Sequence, residues 1–166
     1  MGNQNVYISK RFPNGDKYEG YFGNGKFQGH GTYVHSNGEN YMGDWLDNKR
    51  HGYGVQTFEK PSQWFGEKYE GNWCENRRKG HGKYTGSNGQ EEYVGEWLEN
   101  QRHGFGTQKW PDGSKYEGNW MCNKKHGFGI QVWAINNDKY EGEWIDNKKH
   151  GKGSSKKVAF GAENYY

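Results

Sequence analysis

The sequence predicts an all-β fold: an elongated, single-layer antiparallel meander of tandem β-hairpins. Three observations predict it. One phrase recurs six times, opening at Tyr18, Tyr41, Tyr69, Tyr93, Tyr116 and Tyr140: an aromatic, glycine two residues on, a second aromatic at four, then a Gly-x-Gly pair. Its spacing of 23, 28, 24, 23 and 24 residues falls in the range of stacked structural repeats. The composition is that of a thin structure, with eight tryptophans, thirteen tyrosines and eight phenylalanines in 166 residues but only two leucines, Leu46 and Leu98. A globular domain of this length carries an aliphatic core; here rings laid on glycine replace it.

Residues 1–17 read as an N-terminal half-unit and cap. Ile8 to Tyr18 (ISKRFPNGDKY) parallels Gly106 to Tyr116 (GTQKWPDGSKY), a return strand and the turn after it. Six units follow over residues 18–157. In each, a period of two places the tyrosine, the glycine and the second aromatic (Phe22, Trp45, Trp73, Trp97, Trp120, Trp144) on one strand face. Seven residues after the tyrosine stands Gly25 or an asparagine (Asn48, Asn76, Asn100, Asn123, Asn147), suited to the positive φ of a hairpin turn. The Gly-x-Gly begins the return strand, where bare backbone leaves room for a ring. Asn14-Gly15, Asn37-Gly38, Asn88-Gly89 and Asp112-Gly113 mark turns into the next unit. Twelve strands and the half-unit, at about 4.8 Å each, give a sheet about 60 Å long. Unit two carries an insertion, Pro61 to Phe65, and residues 158–166 form a tail without the frame.

Tyr116-Glu117-Gly118-Asn119-Trp120 with Lys125-His126-Gly127-Phe128-Gly129, and Tyr140-Glu141-Gly142-Glu143-Trp144 with Lys149-His150-Gly151-Lys152-Gly153, resemble the MORN repeat (membrane occupation and recognition nexus). The resemblance covers residues 8 to 153 in six tandem copies. It implies a sheet twisted and curved into an open half-pipe. It also implies a binding role, because repeat-only members are found in cilia and flagella, including radial spoke heads, and at other cytoskeletal structures.

No catalytic constellation emerges. Equivalent histidines of neighbouring units lie two strands apart, about 10 Å, too far to share a zinc ion. The Gly-x-Gly pairs precede no helix, so they do not read as dinucleotide loops. Glu19, Glu70, Glu117 and Glu141 repeat on the polar strand face, as solvated groups or cross-strand partners of lysines. The sequence therefore predicts no enzyme, no cofactor, no metal and no small-molecule substrate. Cys74 and Cys122 fall four strands apart, too far for a disulfide, which fits a reducing intracellular compartment. The chain shows no secretory signal and no apolar run long enough to span a membrane. Met1-Gly2 lacks the residue at position 6 that N-myristoylation favours.

Three surfaces are candidates for binding. Lys49, Arg50, Arg77, Arg78, Lys79, Arg102, Lys124, Lys125, Lys148 and Lys149 all follow the tryptophan strands, forming a basic rim on one sheet edge. Such a rim attracts acidic protein tails or anionic lipid, while a formal net charge of +3 supports no nucleic-acid partner. The frame aromatics line one face, as core or as a groove for a peptide or helix. Trp64 and Phe65 in the insertion, with Phe160, Tyr165 and Tyr166 in the tail, are rings outside the frame and candidate partner contacts. On the opposite face Leu46, Cys74, Leu98, Met121 and Ile145 recur one residue after the second aromatic, a shallow apolar stripe. The expected function is a structural adaptor binding protein partners in a cytoskeletal assembly, with a ciliary axoneme as the favoured setting. The alternative is a peripheral membrane tether that binds anionic phospholipid through the rim. A regulatory subunit for an enzyme partner stands behind both.

Overall fold

The computed structural model describes residues 5–59 and 63–157. Within them the chain forms one 13-stranded sheet in which the strands follow sequence order. The strands are β1 (Val6–Arg11), β2 (Lys17–Gly23), β3 (Lys26–Val34), β4 (Glu39–Leu46), β5 (Lys49–Phe58), β6 (Lys68–Cys74) and β7 (Arg77–Thr85). They continue with β8 (Glu92–Leu98), β9 (Gln101–Lys109), β10 (Lys115–Met121), β11 (Lys124–Val132), β12 (Lys139–Ile145) and β13 (Lys148–Lys156). Even-numbered strands carry the aromatic phrase and odd-numbered ones return. β1, the half-unit, is itself a return strand, paired antiparallel with β2.

Each hairpin closes through two residues of positive φ, such as Asp47 at 50° and Asn48 at 67°. That is the type I′ turn whose twist suits a two-residue hairpin. The two glycines that follow do different work. The first of each pair holds a positive φ, from 54° at Gly151 to 81° at Gly80. It lies at a bulge: Gly118 pairs with Gly129 and Trp120 with Lys125, so β11 spends four residues where β10 spends two. The second glycine seats the tyrosine ring. A methyl group on Gly106 would stand 2.6 Å from Tyr93 Cζ, and one on its partner Gly95 2.7 Å from the Tyr93 hydroxyl.

The rings are the core. The six frame tyrosines are at most 6% exposed and the five tryptophans at most 8%. From Tyr41 to Trp144 they alternate in one ladder of edge-to-face contacts with centroids 5.1–5.6 Å apart. Each tyrosine hydroxyl donates to the carbonyl three residues on, at 2.8–3.2 Å. Each tryptophan Nε1–H donates to the second glycine of the preceding unit, at 3.0–3.2 Å.

The turn asparagines do more than tolerate a positive φ. Asn100 N–H donates to the Arg78 carbonyl at 3.1 Å, and its Oδ1 accepts from Arg78 N–H at 2.9 Å. Asn48, Asn76, Asn123 and Asn147 make the same pair of bonds to Phe27, Arg50, Arg102 and Lys125. Every unit from the second onward thus seals the one before it at a tryptophan and at an asparagine.

Candidate functional site

Adjacent residues of a strand point to opposite faces, and this divides the predicted rim into two rows. Lys49, Arg77 and Lys124 face outward and pair with Glu75, Glu99 and Asp146 of the following turn. Arg50, Arg78, Arg102, Lys125 and Lys149 instead fold over the ring ladder. The Arg50 guanidinium lies 4.5 Å from the Trp73 ring centroid, and that of Arg102 lies 4.6 Å from Trp120. Lys125 Nζ sits among three rings, 4.5 Å from Trp144, 5.1 Å from Trp110 and 5.3 Å from Tyr116. The single exposed rim is corrected accordingly: half of its charge lines the aromatic face, and part of the rest is neutralised by carboxylates.

Facing these cations is a row of acids that the sequence reading missed. Two residues before the frame tyrosines stand Asp16, Glu39, Glu67, Glu91 and Asp138, with Ser114 in their place in the fifth unit. Arg50 Nη1 reaches Glu39 at 2.9 Å, and Gln56 Nε2 reaches the same carboxylate at 2.6 Å. Arg102 joins Gln108 at 2.7 Å, and Gln108 joins Glu91 at 3.1 Å. Six straight strand residues would set Arg50 and Glu39 about 20 Å apart, more than their side chains span. The bulges therefore bend each hairpin into a trough, with cations on one wall, acids on the other and rings in the floor.

Over units two to four the trough forms a groove of about 700 Å³ lined by Arg50, Arg78, Arg102, Glu67, Glu91 and Trp64 among others. Burial in it disfavours the charged forms of Arg78 and Arg102 and pushes the Lys125 ammonium down to about 8. The same burial raises Tyr41, Tyr69 and Tyr93, and lifts Tyr18 and Tyr116 to about 12. The frame tyrosines and tryptophans are buried beneath the inward cations and, at Tyr18 and Trp45, beneath Phe27, so they are core and not an open aromatic surface; Phe22 is partly buried.

Trp64, 47% exposed, stands in the groove, whereas Phe65, 53% exposed, is not among its lining residues. Phe160, Tyr165 and Tyr166 lie outside the described residues, as do 60–62 of the insertion. Lys79 and Lys148 are exposed. On the reverse face Leu46, Leu98, Met121 and Ile145 are 40–48% exposed, and Phe105 and Phe128 exceed 50%. Glu70, Glu117 and Glu141 pair with Lys68, Lys115 and Lys139, two residues earlier in the same strand and not across strands. Their side chains share a face and meet along it. Cys74 and Cys122 are free thiols. Among the described residues no group of three or more His, Cys, Asp or Glu is placed to hold a metal ion, and no helix is long and apolar enough to cross a membrane.

No curated protein matches this chain by overall sequence similarity. The MORN repeat profile matches six segments: residues 18–39, 41–60, 69–91, 93–115, 116–137 and 140–156. MORN repeats are in general modules that bind proteins or membranes. With the repeat phrase, the open 13-stranded meander and six matches over most of its length, the chain belongs to the MORN repeat family.

Proposed function

We propose that this chain is a non-catalytic structural adaptor that holds a protein partner along its groove within a cytoskeletal assembly, a ciliary axoneme being the favoured setting. One observation carries the reading: in units two, three and four, and again in unit six, the groove sets a cation on one wall (Arg50, Arg78, Arg102, Lys149) and a carboxylate on the other (Glu39, Glu67, Glu91, Asp138), neighbouring units being about 9.6 Å apart along the array. A surface ruled in this way suits an elongated partner with charges at a matching pitch, anchored beside Trp64. The axonemal setting rests on the resemblance to repeat-only MORN proteins. The membrane alternative is weakened where Glu75, Glu99 and Asp146 offset the outer rim cations.

The test compares the native chain with a groove variant, Arg78→Gln/Arg102→Gln, and a rim variant, Lys49→Gln/Lys124→Gln, each checked for folding. Proximity labelling in cells that recovers cytoskeletal proteins with the native and rim chains, but loses them with the groove variant, supports the adaptor. Binding to vesicles containing phosphatidylserine that the rim variant abolishes and the groove variant leaves intact overturns it for the tether.

A further inference from the structure

The two ends of the array differ in a way its interior explains. Each unit from the second onward gives three bonds to the return strand before it: an indole N–H to a glycine carbonyl, an asparagine N–H to a carbonyl, and an asparagine Oδ1 to the N–H of that same residue. On β11 the receiving groups are the Gly129 carbonyl and the carbonyl and N–H of Lys125. On β13 the matching groups are the Gly153 carbonyl and both backbone groups of Lys149. Nothing among the described residues meets them there. Every residue of β13 is exposed.

The other end is finished. The first unit, which faces the half-unit β1, has Phe22 where its successors have tryptophan and Gly25 where they have asparagine. It carries neither sealing group, and β1 offers Ile8 where later return strands have glycine. The C-terminal strand keeps the full receptor set, and its charge is one-sided. Lys148, Lys149, Lys152 and Lys156 lie on it without a carboxylate in the strand, and none forms an ion pair among the described residues. Lys149 stacks on Tyr140 and Trp133 but lacks the tryptophan of a following unit, which Lys125 finds in Trp144.

We propose that the β13 edge is a docking site for an acidic β-strand of the Tyr-x-Gly-x-Trp-x-x-Asn type, supplied by another protein and continuing the sheet as a seventh unit begins. Among the described residues all six strands of this type are paired on both sides and the two edge strands, β1 and β13, are both return strands, so a second copy of this chain is not the source of that strand. Two β13 strands placed side by side would also set lysine against lysine, a device that deters edge association. The same lysines draw an acidic strand.

The probe is a peptide of residues 138–147 (DKYEGEWIDN), which has the frame and four carboxylates against one lysine. Binding to the full-length chain is followed by fluorescence anisotropy and by the Lys149 amide resonance. The expected result is saturable binding that shifts that amide and is weakened about 10-fold when the peptide carries Trp144→Phe or Asn147→Gly, the two changes that convert it to the first unit's form. Lys152→Glu, at a fully exposed position of the chain, reduces binding, and Lys152→Arg restores it. A scrambled peptide that binds equally well, or an amide shift in the groove instead of on β13, overturns the proposal. So does binding that appears only after residues 158–166 are removed, because the chain's own tail then fills the edge. Because the groove is a separate surface, none of these results depends on the adaptor reading.

Discussion

Replacing Asn100 tests the inter-unit seal most directly, because two substitutions separate its two roles. Asn100→Gly keeps a residue at ease at φ 67° and removes only the Oδ1 that accepts from Arg78 N–H at 2.9 Å. That amide is near solvent, so water partly replaces the bond and the cost is about 1 kcal/mol. Asn100→Ala loses the same bond and also places a Cβ in the left-handed region, which adds about 1–2 kcal/mol. The alanine variant is therefore about 2–3 kcal/mol less stable than the native chain, with glycine roughly midway. Urea unfolding followed by tryptophan fluorescence reads both, and an unchanged slope is required before midpoints are compared. If glycine costs as much as alanine, backbone conformation plays no part in the choice of asparagine. If glycine costs nothing, the seal carries no weight and the regular Oδ1 contacts are incidental.

Gly95→Ala, whose methyl would meet both the Tyr93 hydroxyl and the Phe105 carbonyl at 2.7 Å, costs about 3 kcal/mol in the same assay, at the upper end of overpacking. Trp120→Phe keeps the ring in the ladder but strands the Gly106 carbonyl; the expected loss is about 1–2 kcal/mol, absent if water takes the place of the indole. Stability depends on alkaline pH in two opposed ways. Lys125, pushed down to about 8 by burial, sheds its proton in the fold while the unfolded chain keeps it up to about 10.4, so stability climbs across that window. Tyr18, Tyr41, Tyr69, Tyr93 and Tyr116 keep protons that the unfolded chain loses above about 10, so stability falls beyond it; urea midpoints peak near pH 10, and Lys125→Met removes the rise.

The fold was legible because six copies of one phrase inside a single chain expose which positions are constrained. Tyrosine, glycine and tryptophan at offsets of two state the strand face, and Asn48 and its equivalents state the turn. What remained hidden were relations between units. The asparagine seal joins Asn76 to Arg50 across 26 residues, which comparing units position by position does not reveal. A signal existed even so: only the unit preceded by no complete neighbour has glycine there. The groove was misread for a simpler reason. Lys49 and Arg50 stand side by side in sequence as one charge cluster, although strand parity sends one out and the other in. The row of Glu39, Glu67 and Glu91, nine residues or more from those cations in sequence, escaped notice because it sits just before the phrase. Trp64 belongs to an insertion with no counterpart in other units, so no periodicity could place it over the groove.

The seals also bear on how the chain changes in length over evolutionary time. Each unit hands its neighbour the same three hydrogen bonds and the same ring contact, whichever pair of units is considered. Loss or duplication of one whole unit therefore rejoins two surfaces already made for each other, at the cost or gain of a single interface. A deletion of a few residues, by contrast, breaks the register of every group in its hairpin. Reach along the array is thus heritable in steps of one hairpin, about 9.6 Å, each step adding or removing that unit's own stretch of groove. Such a molecule can be refitted to a longer or shorter partner by unequal recombination alone, without the point substitutions that a globular domain would need.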